Sequence, residues 1–436
     1  MSHSQDIPAE QPTNARYTVL AFMCSLAFVL YLDRICIGQA ATDIKRDLNL
    51  TNTQFGYVAA AFTLAYALFE VPIGWWGDKY GSRGVLARIV IGWSIFTAMT
   101  GAAFNFTSLV VIRFLFGTGE AGAFPNTARI LSRWFPTERR GMAQGLVNSI
   151  SQVGGALAPV LTSELMQRIG WRWTFVAFSL PGIVWAAAFY WWFRDDPQTH
   201  PSTNDAERKL IAAGTAAHEG SSHPPIPWKI VLSSPQIWLM GAVLMCTAFN
   251  SYFYFTWYPT YLKEGRLVSE LDAGRMASIV LTGGAIGCIS GGFLIDYLVR
   301  TTGNRHLSRR LYSSTVLVLA AVCLIAGRHS DSPIWASVWT AGSVMFTLST
   351  LAAWWGAVTD LSGRHIGALF GLMNSLGGLG AISSQLFAGR YADIMKSHGH
   401  VGRAQWDSIF YVYAGILVLG ALGWLMVNSS KSVDRD

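Results

Sequence analysis

The feature that most constrains this chain is a succession of apolar runs, each long enough to cross a bilayer. A transmembrane helix needs about 20 consecutive, mainly apolar residues. Runs of that length stand at about 17–40, 53–75, 84–104, 107–130, 140–165, 172–193, 236–261, 272–297, 309–327, 333–355, 365–390 and 406–428. Each is bounded by charge, Gly or Pro. Lipid offers the backbone no hydrogen-bond partners, so runs of this kind must be helices. The expectation is therefore an all-α membrane protein with twelve transmembrane helices. Composition agrees: 13% of the 436 residues are charged and 52% are hydrophobic, whereas soluble domains carry about 25% charged residues.

The longest polar interval, 194–235, splits the spans six and six. The expected organisation is an N-terminal tail over 1–16, a first six-helix bundle over 17–193, a linker over 194–235, a second bundle over 236–428 and a C-terminal tail over 429–436. The linker is expected to hold a short amphipathic helix near 204–218. The halves echo each other. "GLVNSISQVGG" (145–155) resembles "GLMNSLGGLGA" (371–381), and "IGWWGDKYGSR" (73–83) resembles "GGFLIDYLVRTTGNR" (291–305). Both copies are offset by about half the chain, which predicts two bundles related by pseudo-two-fold symmetry.

Lys and Arg are more frequent in the segments that share a side with the N-terminus, such as Arg16, Lys79, Arg83, Arg129, Arg133, Arg139, Arg140, Lys229, Arg300, Arg305, Arg364, Lys431 and Arg435. The positive-inside rule then places both termini in the cytoplasm, in a cell membrane. The net charge of +7 comes from these short loops and is not a nucleic-acid signal. The first sixteen residues are polar, so no cleavable signal is expected. The five cysteines all lie in apolar runs without metal or disulfide spacing. No cofactor or metal is expected, and no enzyme constellation lies within the spans. The expected partners are a small solute, protons and lipid, with the chain acting as a monomer.

Charges inside the spans are expensive and mark function. "YLDR" (31–34) places Asp33 and Arg34 in the first run; Arg113 and Glu120 share a face of the fourth; Glu70 lies four residues after Tyr66 in the second. Arg34 keeps its charge, and its planar fork suits a carboxylate. It either grips an anionic solute, with Tyr31 on the same face, or pairs structurally with Glu120. Glu120 is either a proton carrier or half of a permanent ion pair. Asp33 lies about 100° around the helix from Arg34 and serves either coupling or local structure. Glu70 is a second proton site or a contact between the halves. Gly74, Asp78, Gly81 and Arg83 form a tight loop between spans 2 and 3. It reads either as a basic turn or as a gate latch in which Asp78 meets a helix N-terminus or an Arg.

With "YLDR", "FTLAYALFEVPIGWWGDKYGSR" (62–83) and "RFLFGTGEAGAFPNTARILSRWFP" (113–136), the chain resembles the major facilitator superfamily and, within it, the anion:cation symporter family of hexuronate, aldonate and glucarate carriers and sialin-type carriers. The resemblance implies the major facilitator fold and proton-coupled symport of an organic anion by alternating access. It also implies Arg34 as the anion's partner, Asp33 and Glu120 as coupling acids and Arg113 as Glu120's tuning neighbour. By the same likeness, Tyr31, Tyr66, Gln152, Trp354, Asn374 and Ser375 are expected to line the substrate cavity. Tyr254, Trp257, Tyr258 and Asn148 offer further polar or aromatic surface.

Overall fold

The computed structural model describes residues 11–213, 231, 233–362 and 366–428. The tail sequences 1–10 and 429–436, the second part of the expected linker helix, and the basic residues Lys229, Arg364, Lys431 and Arg435 lie outside the described residues. Those described are almost entirely helical. The first half contains α1 (Ala15–Leu48), α2 (Asn52–Tyr80), α3 (Ser82–Gly101), α4 (Phe106–Glu120), α5 (Ala123–Trp134) and α6 (Thr137–Trp192). A short α7 (Asp205–Ala213) follows. The second half contains α8 (Pro235–Thr256), α9 (Glu270–Thr302), α10 (Arg305–His329), α11 (Pro333–Ser349), α12 (Leu351–Ser362), α13 (Ile366–Ser397) and α14 (Ile409–Met426).

Among the described residues, nine helical stretches are long and apolar enough to cross a bilayer, with α11 and α12 forming one of them. The remaining passes come from three features. Helix α6 breaks at Gly170, where φ is 74° and ψ is 165°, a backbone conformation that glycine alone adopts readily. Its first part starts beside the beginning of α1, where Arg139 bonds the Tyr17 hydroxyl. Beyond the break, Trp171 bonds Asp47 at the far end of α1. The chain then returns, and Trp185 donates to the Phe22 carbonyl. Thus α6 crosses twice. The pass expected at 107–130 is split into α4 and α5 at Ala121–Gly122, and α13 supplies the twelfth. The pass expected at 333–355 is likewise split, into α11 and α12 at Thr350. The two broken passes are the fourth of each half.

Several helices outrun their apolar stretches because a helix ends at a cap, not at the membrane boundary. Thr51 and Gln54 make a reciprocal capping box at the start of α2, Asn105 caps α4 and Asn304 caps α10. Asn49 and Gly303, both left-handed, close α1 and α9. Large apolar side chains such as Leu68, Val184, Trp191, Phe293 and Leu419 remain exposed, as a lipid-facing surface requires.

The described start of the interval after α6, residues 193–213, is docked on the first half. Glu207 of α7 is fully buried and accepts from the Arg16 backbone N–H at 3.1 Å. It also pairs with the Arg16 guanidinium at 3.2 Å, so a linker carboxylate caps the start of α1. Upstream, His200 is buried against Trp192 and Trp134. It accepts from the Ser202 N–H and faces the Trp192 carbonyl. Burial holds its pKa below the ordinary histidine value.

The two halves touch mainly at the end remote from the termini. There Asp393 of α13 accepts from the backbone N–H groups of Asn52 (3.2 Å) and Thr53 (2.7 Å), so one half caps a helix of the other. Lys45 pairs with Glu264 at 2.6 Å, and Lys263 binds Glu270 and the Gln39 carbonyl. Gly38 and Gly389 allow backbone approach, since a Cβ would collide with the Phe255 carbonyl in one case and the Asn52 carbonyl in the other. Helices α2 and α13 stay zipped from this end through Thr63–Gln385 (3.1 Å) to Glu70–Asn374 (3.1 Å). No hydrogen bond or ion pair between described residues joins the halves beyond that point, and Trp75, Trp76, Tyr80 and Tyr297 are exposed there. The molecule is closed at the remote end and open at the end that bears the termini.

Hydrogen bonds to charged groups are worth about 1.5–3 kcal/mol each. The double variant Asp393→Asn/Glu264→Gln is therefore expected to shift the closed-to-open equilibrium of the remote end by at least tenfold. Spin-label distances between the C-terminal end of α1 and the N-terminal end of α9 should then show a new, longer population. An unchanged distribution would show that these contacts do not hold the closure.

Candidate substrate-binding site

The site grows from α1. Asp33 and Arg34 sit past its midpoint, on adjacent faces. Arg34 Nε donates to both oxygens of Glu120, at 3.2 and 3.4 Å. Glu120 is the last residue of α4, immediately before the helix break, and is 1% exposed. The guanidinium is ringed by aromatics: its Cζ lies 4.7 Å from the Tyr66 ring centre, 5.3 Å from Tyr31 and 5.4 Å from Phe62. Ring faces and one carboxylate thus hold the charge. Arg34 Nη2 has no hydrogen-bond partner, so the pair with Glu120 leaves donor capacity unused.

Behind this pair, Asp33 is 1% exposed and neither of its oxygens accepts a hydrogen bond. The groups acting on it are Glu120, Trp93 and Arg113. Arg113 is equally buried, its Cζ 4.2 Å from the Phe116 ring centre and 5.2 Å from Phe62. Its Nε and Nη1 are unpartnered. Two acids and two arginines, all buried except the half-buried Arg34, therefore form a balanced quartet in which, among the described residues, only Arg34–Glu120 makes an ion pair. In a low-dielectric interior such incomplete pairing is costly, and a change of one proton or one partner rearranges the whole set.

The expected cavity residues divide. Tyr31, Tyr66, Asp33, Arg113 and Glu120 surround Arg34. Gln152 is half-buried on the first part of α6, one turn from Gly155, which packs on the Tyr31 ring. Asn374 reaches Glu70 at 3.1 Å, so Glu70 makes a contact between the halves. Ser375 is exposed but bonds its own helix at Gly371, and Asn148 is exposed and accepts from Gln144. Three groups need correction. Trp354 is 4% exposed and donates to the Met240 carbonyl, so it packs α12 on α8 while its neighbour Trp355 is the exposed ring. Tyr254 and Tyr258 are buried and meet Ser343 and Ser337 of α11. Trp257 donates to the Gln385 carbonyl. A buried hydroxyl or indole N–H needs a partner, and the second bundle supplies each one.

Tyr252 was not anticipated. It comes from the second half and lies in the electrostatic range of Arg34, Tyr31, Glu120 and Glu70. It sits two residues before Tyr254, about 200° around the helix, so the aromatic run alone could not show which ring faces the site. Cys288 of α9 likewise acts on Tyr31 across the halves.

In the loop motif, Asp78 pairs with Arg129 of α5 at 3.5 Å, and Gly74 packs on Pro125. The helix-capping role belongs instead to Asp195, which accepts from the N–H groups of Ser82 (2.6 Å) and Arg83 (3.1 Å). Gly81, at φ +84°, leaves room for that carboxylate. Arg83 donates to the Tyr190 carbonyl. All these contacts lie within the first half and the first residues of the linker. Among the described residues no cluster of His, Cys, Asp and Glu could hold a metal.

A buried cation under aromatic rings, facing an interface between two six-helix bundles, is the geometry of a solute carrier. The sequence profile of the Major Facilitator Superfamily matches residues 23–385. The chain belongs to that superfamily. It is a multi-pass transporter of organic anions, not an enzyme, in agreement with the anion:cation symporter resemblance. It is 29% identical to a probable sulfoacetate transporter, SauU, of Cupriavidus necator, over 98% of this chain and 96% of that one. It is 28% identical to a D-galactonate transporter of Escherichia coli, over 98% and 100%, and 28% identical to a hexuronate transporter of Bacillus subtilis, over 86% and 87%. The fold is shared with a bacterial homologue of the human lysosomal transporter Spinster in an inward-facing, unoccupied conformation. There the TM-score is 0.77, at 19% identity over 95% of this chain and 97% of that one.

Removing Arg34 alone strands Glu120 as a buried, unpaired acid, at a cost of about 3–5 kcal/mol. Thermal unfolding in detergent should therefore show Arg34→Leu strongly destabilised and Arg34→Leu/Glu120→Gln largely restored. Additive losses would mean that the two groups are not coupled.

Proposed function

We propose that this transporter is a proton-coupled symporter of a sugar acid, a hexuronate or an aldonate, working by alternating access in the cell membrane with both termini cytoplasmic. The observation that carries this reading is the Arg34–Glu120 pair inside an aromatic ring, with Arg34 Nη2 left unpartnered. The relatives named for sulfoacetate, D-galactonate and hexuronate share a carboxylate-bearing cargo, which the Arg34 fork fits. Tyr31, Tyr66 and Tyr252 bring hydroxyls to the same chamber, and Gln152 lies one turn from Tyr31's packing partner; these groups suit a hydroxylated chain.

In the outward-facing state, Glu120 takes a proton and gives up Arg34. The cargo carboxylate takes its place, so the buried charge is again balanced. Asp33, close to Arg113 and Glu120 but hydrogen-bonded to neither, supports the same exchange as a second coupling acid. The loaded halves rock, the remote latch of Lys45, Lys263 and Asp393 closes, and the chamber opens where the termini lie. In the less acidic cytoplasm Glu120 loses its proton, reclaims Arg34 and expels the anion. A monoanion carried with more than one proton moves positive charge inward, a step favoured by roughly 2.3 kcal/mol per charge per 100 mV.

Proteoliposomes with an imposed inward proton gradient test the scheme. Wild-type protein should accumulate D-galactonate or glucuronate and alkalinise the external medium. Glu120→Gln should lose accumulation but keep exchange, and Arg34→Ala should lose both. Accumulation by Glu120→Gln at the wild-type level, or uptake driven by sodium without a proton gradient, would refute proton coupling through this acid.

A further inference from the structure

The chamber holds a third carboxyl that the ion-pair quartet does not use. Glu70 lies one turn beyond Tyr66 on α2. Tyr66's ring covers Arg34, and Tyr66 is acted on by both Glu70 and Arg34. Glu70 thus lies one helical turn from the ring that covers the guanidinium, within electrostatic reach of Arg34. Its Oε2 accepts from Asn374 Nδ2 at 3.1 Å, and Oε1 makes no hydrogen bond to a described residue. This is the last tie between the halves before the open end, so a solute leaving Arg34 toward that end passes it.

The apolar spans of the second half supply no cation to the wall opposite Arg34. Residues 236–262, 276–299, 311–327, 333–359, 366–389 and 407–428 of the second half contain neither Lys nor Arg. Arg309, just before the third of these stretches, is committed to Asp360 at 2.6 Å. In the first half Arg113 is walled off behind Phe62 and Phe116. Among the described residues of the spans, Arg34 is thus the cation that a cargo can reach beside Tyr66, and Glu70 is the carboxyl one turn further toward the open end. A cargo with one acidic end puts that end on Arg34 and its other end at Glu70. If the other end carries hydroxyls, it donates to the carboxylate. If it carries a second anionic group, it meets a like charge in a low-dielectric site, and like charges at close range are strongly disfavoured.

We propose that Glu70, held by Asn374, is the specificity-determining residue of the site and restricts the cargo to monoanions whose distal end donates hydrogen bonds, rejecting dianions of the same length. The proposal rests on Arg34 as the anchor of the cargo carboxylate. D-galactonate and galactarate form a matched pair of probes, because they differ only in whether the far terminus is a CH2OH or a second carboxylate. Binding is measured on the purified full-length protein by isothermal titration and by thermal shift, at fixed pH and salt. Wild-type protein should prefer galactonate by at least tenfold. Glu70→Gln keeps the shape and the Asn374 contact but removes the charge. It should bind galactonate a few-fold more weakly and galactarate more tightly, closing the preference by at least tenfold. Glu70→Ala, assayed in parallel, should change the preference in the same direction if the glutamine variant does not fold.

Equal binding of both acids by wild-type protein, or an unchanged preference in folded Glu70 variants, overturns the proposal while leaving the sugar-acid reading intact. In that case Glu70 only ties the halves. If neither acid binds wild-type protein, or if Arg34→Ala binds both as wild type does, the anchor itself is wrong and both readings fall.

Discussion

A guanidinium that cannot lose its charge sits inside the membrane, and the structure is arranged around keeping it paired. Arg34 is half-buried, well inside the span. It must have an anion, and the helix break after Glu120 delivers one. The aromatic rings of Tyr31, Tyr66 and Phe62 complete the shell. Because the pair is incompletely hydrogen-bonded, it is replaceable. In the proposed cycle an external carboxylate takes Glu120's place once Glu120 carries a proton, and each state keeps the buried charge balanced. Binding and proton uptake then become two descriptions of one substitution.

The fold turns that local exchange into a change of access. The halves are locked at one end by contacts that are themselves electrostatic and reversible: a carboxylate of one half on a helix N-terminus of the other, the Lys45–Glu264 ion pair, and Gln39 of the first half held by Lys263 and Glu270 of the second. Such contacts supply moderate energies and directional geometry, so they can be broken and remade during a cycle. At the other end the Asp78 loop is fastened to α5 and α6 of its own half, which keeps the first bundle rigid while the mouth stands open. Glu70–Asn374 lies between these regimes, where the zipped α2–α13 contact gives way to the open mouth.

The twelve passes were legible because hydropathy over about 20 residues is a property of the run and not of its partners. The charged site was legible for a related reason: Asp33, Arg34, Arg113 and Glu120 stand out against an apolar background, and few physical roles justify them. What the sequence hid was orientation. Tyr252 and Tyr254 are both plausible chamber residues, and only the packing of α8 shows that the first faces Arg34 while the second binds Ser343. Trp354 and Trp355 are neighbours of equal character, yet packing against Met240 buries the first. The remote latch was hidden because Lys45, Glu264, Glu270 and Asp393 lie in polar stretches where charge is ordinary, and their pairing is long-range. The broken fourth passes were hidden because an interruption of one or two residues, at Gly122 or Thr350, leaves hydropathy unchanged.

The pH dependence of anion affinity tests the exchange between Glu120 and cargo most directly. The dissociation constant of a carboxylate cargo is to be measured from pH 5.5 to pH 8, where the cargo itself stays ionised, on wild-type protein and on Glu120→Gln. If Glu120 competes for Arg34, wild-type affinity rises as pH falls, because protonation frees the guanidinium, and the glutamine variant binds tightly with the dependence flattened. Affinity that is constant across this range in wild-type protein, or a slope that survives in Glu120→Gln, would contradict that competition.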